Sequence, residues 1–173
     1  MPRVIAAAPR IDIPALVERE APALLAYFSR RTGQVDDAAD LLGDTLVVVW
    51  RRQSAIPADQ ERARMWLYGV ARKTLLAHRR SGSRRLALAD KLRFELAAAQ
   101  PTTENPLHDH VRNLVGDLDE LDREIIGLVY WEGFSLVEVA HILSMRAATV
   151  RSRHARARAR LHDALVETGD VQR

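Results

Sequence analysis

Apolar side chains return every three or four positions through two stretches of this 173-residue chain, and a segment holding two prolines, residues 100–106, separates them. That period belongs to helices; a half-buried strand would alternate instead. Ala, Leu and Arg abound while aromatic residues make up only 5%, which favours helix over sheet. The expected fold class is all-α: two small helical domains joined by a flexible linker, the second a helix-turn-helix.

The first block, residues 15–81, reads as three helices. Leu16, Leu24, Leu25 and Phe28 mark the first, over residues 15–32, and Gly33 stops it. With Asp36 as its cap, a second covers residues 37–52 and carries Leu41, Leu42, Thr45, Leu46, Val49 and Trp50 on a broad apolar face. After a loop at residues 53–60, containing Ser54 and Pro57, a third runs over residues 62–80 with Trp66, Leu67, Val70, Ala71 and Leu75 inward. Ser81-Gly82-Ser83 breaks the pattern, and residues 82–107 form the linker. The opening 14 residues and residues 167–173 read as tails.

In the second block, residues 108–166, Leu114, Leu118 and Leu121 point to one helix, and Ile125, Ile126, Val129 and Tyr130 to another that Gly133 ends. Ser135-Leu136-Val137-Glu138 is a capping-box pattern, in which the serine and glutamate side chains each serve the other's backbone N–H. Leu136, Val139, Ala140 and Leu143 form the buried side of the short helix that follows. A break at residues 144–146 precedes a long helix over residues 147–166.

Two helices joined by so short a turn, the second rich in base, make a helix-turn-helix. On the second, Val150, His154, Ala157 and Leu161 form one inward stripe. Ala148, Ser152, Ala155 and Ala159 then point outward, with Arg151 and Arg156 on the flanks. Small residues permit close approach to a groove floor, Ser152 can bond a base edge, and the two arginines can reach guanine or phosphate. Arg153, Arg158 and Arg160 lie nearer the protein side and read as groups for phosphates or the surface. A solvated arginine-rich helix end is the competing interpretation.

Charge elsewhere is also arranged. Asp37, Asp40 and Asp44, at helical spacing, make one acidic edge that suits a basic partner helix or merely faces water. Arg62, Arg64, Arg72, Lys73, Arg79 and Arg80 offer a positive surface to a phosphate backbone. Trp66 reads as core before it reads as a stacking platform, and the loop at residues 53–60 is the better holder of an unpaired base.

Several functions are excluded or disfavoured. With no cysteine, the chain can build neither a disulfide framework nor a thiolate metal site, and it fits a reducing cytoplasm. No apolar run approaches the ~20 residues of a membrane span. There is no glycine-rich phosphate loop and no histidine–carboxylate cluster at ligand spacing, so no enzyme, cofactor, metal or small-molecule substrate is expected. His108 and His110 lack a third ligand, and His154 reads as a partly buried histidine.

Arg123-Glu124-Ile125-Ile126, Tyr130-Trp131-Glu132-Gly133-Phe134-Ser135, Glu138-Val139-Ala140 and Thr149-Val150-Arg151-Ser152-Arg153 resemble the carboxy-terminal domain of extracytoplasmic-function sigma factors of the sigma-70 family. The resemblance implies that Arg151, Ser152, Ala155 and Arg156, with Arg146 and Thr149 beside them, meet the minus-thirty-five promoter element. Asp37-Ala38-Ala39-Asp40-Leu41-Leu42-Gly43-Asp44-Thr45 with Trp50-Arg51 is similar to the family's segment that docks on the coiled coil of the polymerase largest subunit. It implies contacts from Asp37, Asp40, Leu41, Asp44, Thr45 and Val48. Trp66-Leu67-Tyr68, Val70-Ala71-Arg72 and Arg79-Arg80 resemble the segment that opens and reads the minus-ten element, with Arg62, Arg64, Arg72, Lys73, Arg79 and Arg80 on the DNA.

The implied function is a sigma factor that binds core RNA polymerase, through the largest-subunit coiled coil and the flap, and directs promoter-specific initiation. An anti-sigma protein is a further implied partner. Departures from the family pattern are Gly43 for glutamine, Ala39 for glutamate, Val48 for a basic residue, Lys73 for asparagine, His154 for leucine, and Ser144 for the glycine common at that turn. A stand-alone helix-turn-helix regulator, binding duplex DNA without polymerase, and a protein-binding adaptor are the alternatives.

Overall fold

A computed structural model of the chain describes residues 11–32, 35–89, 111 and 113–171. The chain divides into two compact units, Met1–Leu92 and Arg93–Arg173. Among the described residues the regular elements are helices.

In the first unit, α1 (Ile13–Thr32), α2 (Val35–Arg51) and α3 (Gln60–Ala89) pack pairwise around one core. Asp12 starts α1, its carboxylate accepting from the Ala15 N–H at 3.2 Å. Leu16, Glu20, Leu24, Tyr27 and Phe28 face inward, a stripe of four- and three-residue steps. Ala38, Leu41, Thr45 and Val49 do the same on α2, and Ala63, Leu67, Tyr68, Ala71 and Leu75 on α3. The Tyr27 ring meets Phe28 and Tyr68 edge to face, with centroids 5.2 and 5.6 Å apart, the geometry that ring quadrupoles favour.

Two helix ends and one side-chain placement in this unit differ from expectation. Val35 already belongs to α2, so Asp36 lies in its first turn; there it complements the positive helix end without capping it. Trp50 stands 64% exposed, because a further 100° of helical rotation beyond Val49 carries it off the buried stripe. Helix α3 continues through Ser81-Gly82-Ser83 to Ala89. One interior glycine costs a helix only about 1 kcal/mol, and the Arg, Leu and Ala residues around it are good helix formers. Asp59 opens α3 by accepting from the Arg62 N–H at 2.9 Å. Gly33, His108, His110 and most of the linker lie outside the described residues.

The second unit holds α4 (Glu120–Tyr130), α5 (Leu136–Leu143) and α6 (Ala147–Val171). A helical turn over residues 113–116 precedes α4 and ends at Asp117. Leu114, Leu118 and Leu121 therefore do not share a helix: Asp119 caps α4, accepting from the N–H groups of Leu121 and Asp122 at 3.0 and 2.9 Å. An aspartate oxygen offered to free amides begins a new helix there, and apolar spacing alone could not register it. Val115, Leu118, Ile126 and Ala157 form a core with Leu161 packed against it. Ile125, Leu128, Phe134, Val139, Ile142, Leu143 and Val150 are buried as well.

Candidate nucleic-acid interface

The turn between α5 and α6 is held at both ends by local chemistry. Ser135 and Glu138 form the reciprocal capping box: the Ser135 N–H donates to the Glu138 carboxylate at 2.8 Å, and the Glu138 N–H to the Ser135 hydroxyl at 3.3 Å. At the other end Ser144 takes the left-handed conformation, φ 54° and ψ 44°. Its N–H reaches the carbonyls of Ala140 and His141. A left-handed residue is a common way to turn the chain sharply after a helix, and a serine there carries the strain that a glycine would avoid. The break at residues 144–146 follows, and α6 leaves at a new angle.

Helix α6 divides cleanly into two faces. Val150 and Ala157 are fully buried, and His154 and Leu161 are partly buried. Ala148, Ser152, Ala155 and Ala159 are exposed, as are Arg146, Thr149, Arg151 and Arg156. The outward face is thus a floor of small side chains between two arginines. A duplex groove admits a helix of that profile, and arginines placed so can reach base edges or phosphates.

His154 stacks on Tyr130, with centroids 5.8 Å apart and planes at 22°. Its buried Nε2 has no hydrogen-bond partner among the described residues. Burial, with the Arg158 guanidinium nearby, holds its pKa below the ordinary 6.5. It is therefore a packing residue on the inward stripe.

Arg153 has a role that the sequence did not disclose. Its Nη1 lies 3.0 Å from Asp119 Oδ2 and 2.6 Å from Asp122 Oδ1, and Asp122 is itself only 7% exposed. The N–H of Asp122 first, and the Arg153 guanidinium after it, hold the Asp119 carboxyl below its ordinary value of 3.8. The available signal was the pair Asp119 and Asp122, three residues apart ahead of an apolar run, facing a basic helix.

In the first unit, Arg62, Lys73 and Arg80 are exposed on α3. They stand eleven and seven residues apart, close to whole numbers of helical turns, so they share one stripe. Arg72 and Arg79 are half-buried, and Arg79 donates to the Arg31 carbonyl at 3.2 Å. Trp66 is half-buried on the same helix, and the loop before it carries a short 3-10 turn, Gln53–Ala55. Arg64 is turned inward: its Nε sits 3.1 Å from Glu20, a carboxylate only 6% exposed. Glu20 is shared between Arg64 and Arg19, whose Nε lies 3.0 Å from its other oxygen, so Arg64 is engaged within the fold as half of a two-arginine pairing of a buried carboxylate.

On α2, Asp40 and Asp44 are exposed and Asp37 and Val48 partly so; Asp37 lies 4.0 Å from His78 Nε2. Leu41 and Thr45 lie on the inward face that the apolar period predicted, and so not on the surface where the resemblance implied polymerase contacts. They are 1% and 0% exposed, and the Thr45 hydroxyl bonds the Leu41 carbonyl at 2.8 Å. Each follows an exposed aspartate by one residue, and 100° of rotation takes it into the core. The outward stripe is Asp40, Asp44, Val47 and Arg51, with Val47 49% exposed. Gly43 lies open to solvent beside it.

Comparison with known proteins gives the same two parts. Residues 16–85 match the family model for Sigma-70 region 2, and residues 114–163 that for Sigma-70, region 4. The ECF RNA polymerase sigma factor SigL of Mycobacterium tuberculosis is 30% identical over 148 residues, 80% of each chain. Among solved structures, the sigma factor RpoE in complex with the anti-sigma factor NepR from Bartonella quintana superposes with a TM-score of 0.71 at 28% identity. That match covers 89% of this chain and 96% of the other. CnrH, solved with the cytosolic domain of CnrY, gives 0.61 at 28% identity over 90% and 87%.

Proposed function

The chain belongs to the extracytoplasmic-function sigma factors of the sigma-70 family and directs transcription initiation, and from that premise we propose how its residues divide the work. The first unit docks on core RNA polymerase through Asp40, Asp44 and Val47, with Asp37 and Val48 at the edge. An acidic stripe around an apolar centre suits a basic partner helix with an apolar ridge. Arg62, Lys73 and Arg80, flanked by Arg72 and Arg79, run along the phosphates of the minus-ten strand. The loop after α2 receives an unstacked base.

The second unit lays α6 in the major groove of the minus-thirty-five element. Arg151 and Arg156 read or brace the two walls, and Ser152 and Ala155 approach the floor, with Arg146 and Thr149 at the entrance. No step in this scheme is chemical for the chain itself. It positions DNA, and polymerase does the catalysis. Among the described residues no helix is long and apolar enough to cross a membrane, and no cluster of three ligating side chains could hold a metal. Since RpoE was solved with an anti-sigma factor, a protein of that kind is a candidate regulator here.

The observation that carries the proposal is the exposed Arg151–Ser152–Ala155–Arg156 face on a helix whose opposite side is sealed by Val150 and Ala157. The test is reconstitution with core polymerase on a promoter library. The wild-type chain should select start sites. Arg151→Ala with Arg156→Ala should lose upstream-element dependence, by about 1–3 kcal/mol for each bidentate base contact removed. Equal promoter-specific transcript from the double variant would refute the groove assignment.

A further inference from the structure

Helix α6 rests on the second unit through small apolar contacts. Val150 and Ala157 are fully buried, and Leu161 packs on the Val115–Leu118–Ile126 core. Such contacts have no direction and tolerate sliding and rotation. Recognition does not tolerate them. A rotation of roughly 20° moves an atom on the helix surface by about 2 Å, more than a hydrogen bond survives.

Besides the stacking of His154 on Tyr130, α6 makes a charged, directional contact through Arg153, whose Nη1 bridges Asp119 and Asp122 at 3.0 and 2.6 Å. Both carboxylates are anchored. Asp119 caps α4 through its other oxygen, and Asp122 is buried within the first turn of that helix. Arg153 itself stands one residue from Ser152 and two from Arg151, on the margin between the buried and exposed faces, with its side chain 26% exposed.

We infer that Arg153 is a positioning residue for promoter recognition: shared between Asp119 and Asp122, its guanidinium sets the rotation and register at which α6 offers Arg151, Ser152 and Arg156 to the duplex. The inference rests on the reading of α6 as the groove helix. It assigns Arg153 to specificity, acting through its neighbours, and not to a phosphate.

The experiment uses holoenzyme assembled from the full chain and core polymerase. A duplex library randomised over the upstream hexamer supplies a selected sequence and a scrambled control, and the readout is the ratio of their affinities at several salt concentrations. Arg153→Met and Asp122→Asn should each lower that ratio about tenfold, the size of one lost base contact. The salt slope should stay as in the wild type, and Arg153→Lys should recover part of the ratio. Asp119→Asn keeps the cap while weakening the bridge, so it decides the matter if Arg153→Met fails to fold.

Two results overturn the inference. One is an unchanged ratio in these variants while Arg151→Ala lowers it. The other is a uniform loss on all duplexes in Arg153→Met, with a salt slope reduced by about one and Asp122→Asn silent, which makes Arg153 a phosphate contact. If Arg151→Ala also leaves the ratio unchanged, the groove reading falls with it.

Discussion

His154 occupies a position where packing and polarity disagree. Its ring is stacked on Tyr130 and its Nε2 is buried without a partner among the described residues. Burial and Arg158 keep its pKa below 6.5, so the folded unit holds it neutral and the unfolded chain takes up its proton more readily. Stability is therefore whole above pH 6.5 and is lost as pH falls through the lower folded value. Thermal melts should show the wild type losing stability between pH 7 and 5, and His154→Leu losing less over the same range. Parallel pH profiles would refute that cause. Arg64 and Glu20 show the same principle with charge: from the sequence Arg64 is one more surface arginine, and in the fold it joins Arg19 in pairing a buried carboxylate of α1.

Single elements here are set by their ends as much as by their faces. Helix α5 has only eight residues, too few to be stable alone, and it owes its definition to the capping box at Ser135 and the left-handed Ser144. The serine at φ 54° carries a strain of order 1 kcal/mol, which glycine relieves at some entropic cost. Ser144→Gly should raise the unfolding free energy of the second unit by up to about 1 kcal/mol, measured by urea denaturation, with DNA selectivity unchanged. A lowered stability would mean that the serine side chain contributes more than its backbone costs. Helix α4 is likewise begun by Asp119, whose carboxylate serves a helix end and an ion pair together.

For the whole molecule, the DNA surfaces proposed for the two units would gain strength when one polymerase carries both. Tethering turns the second contact into an intramolecular one at millimolar effective concentration. The chain alone should bind an upstream-element duplex weakly, and addition of core polymerase with a full promoter should tighten binding by about 10²-fold or more. Asp40→Arg with Asp44→Arg should abolish most of that gain and reduce co-purification with core, while leaving the melting of the second unit untouched. Equal capture of core by this variant would sink the docking assignment.

The sequence by itself determined the helical class, the two-part division, the capping box and both faces of α6. All are short-range consequences of helical period and of what a side chain offers its own backbone. Tertiary structure alone decided which charges the fold pairs within itself. Arg64 and Arg153 read as groups for solvent or phosphate in the chain, and they meet buried carboxylates 44 and 31 residues away. Periodicity says that a face exists. Only the contact of distant elements, where desolvation makes an unpaired charge costly, says what that face meets.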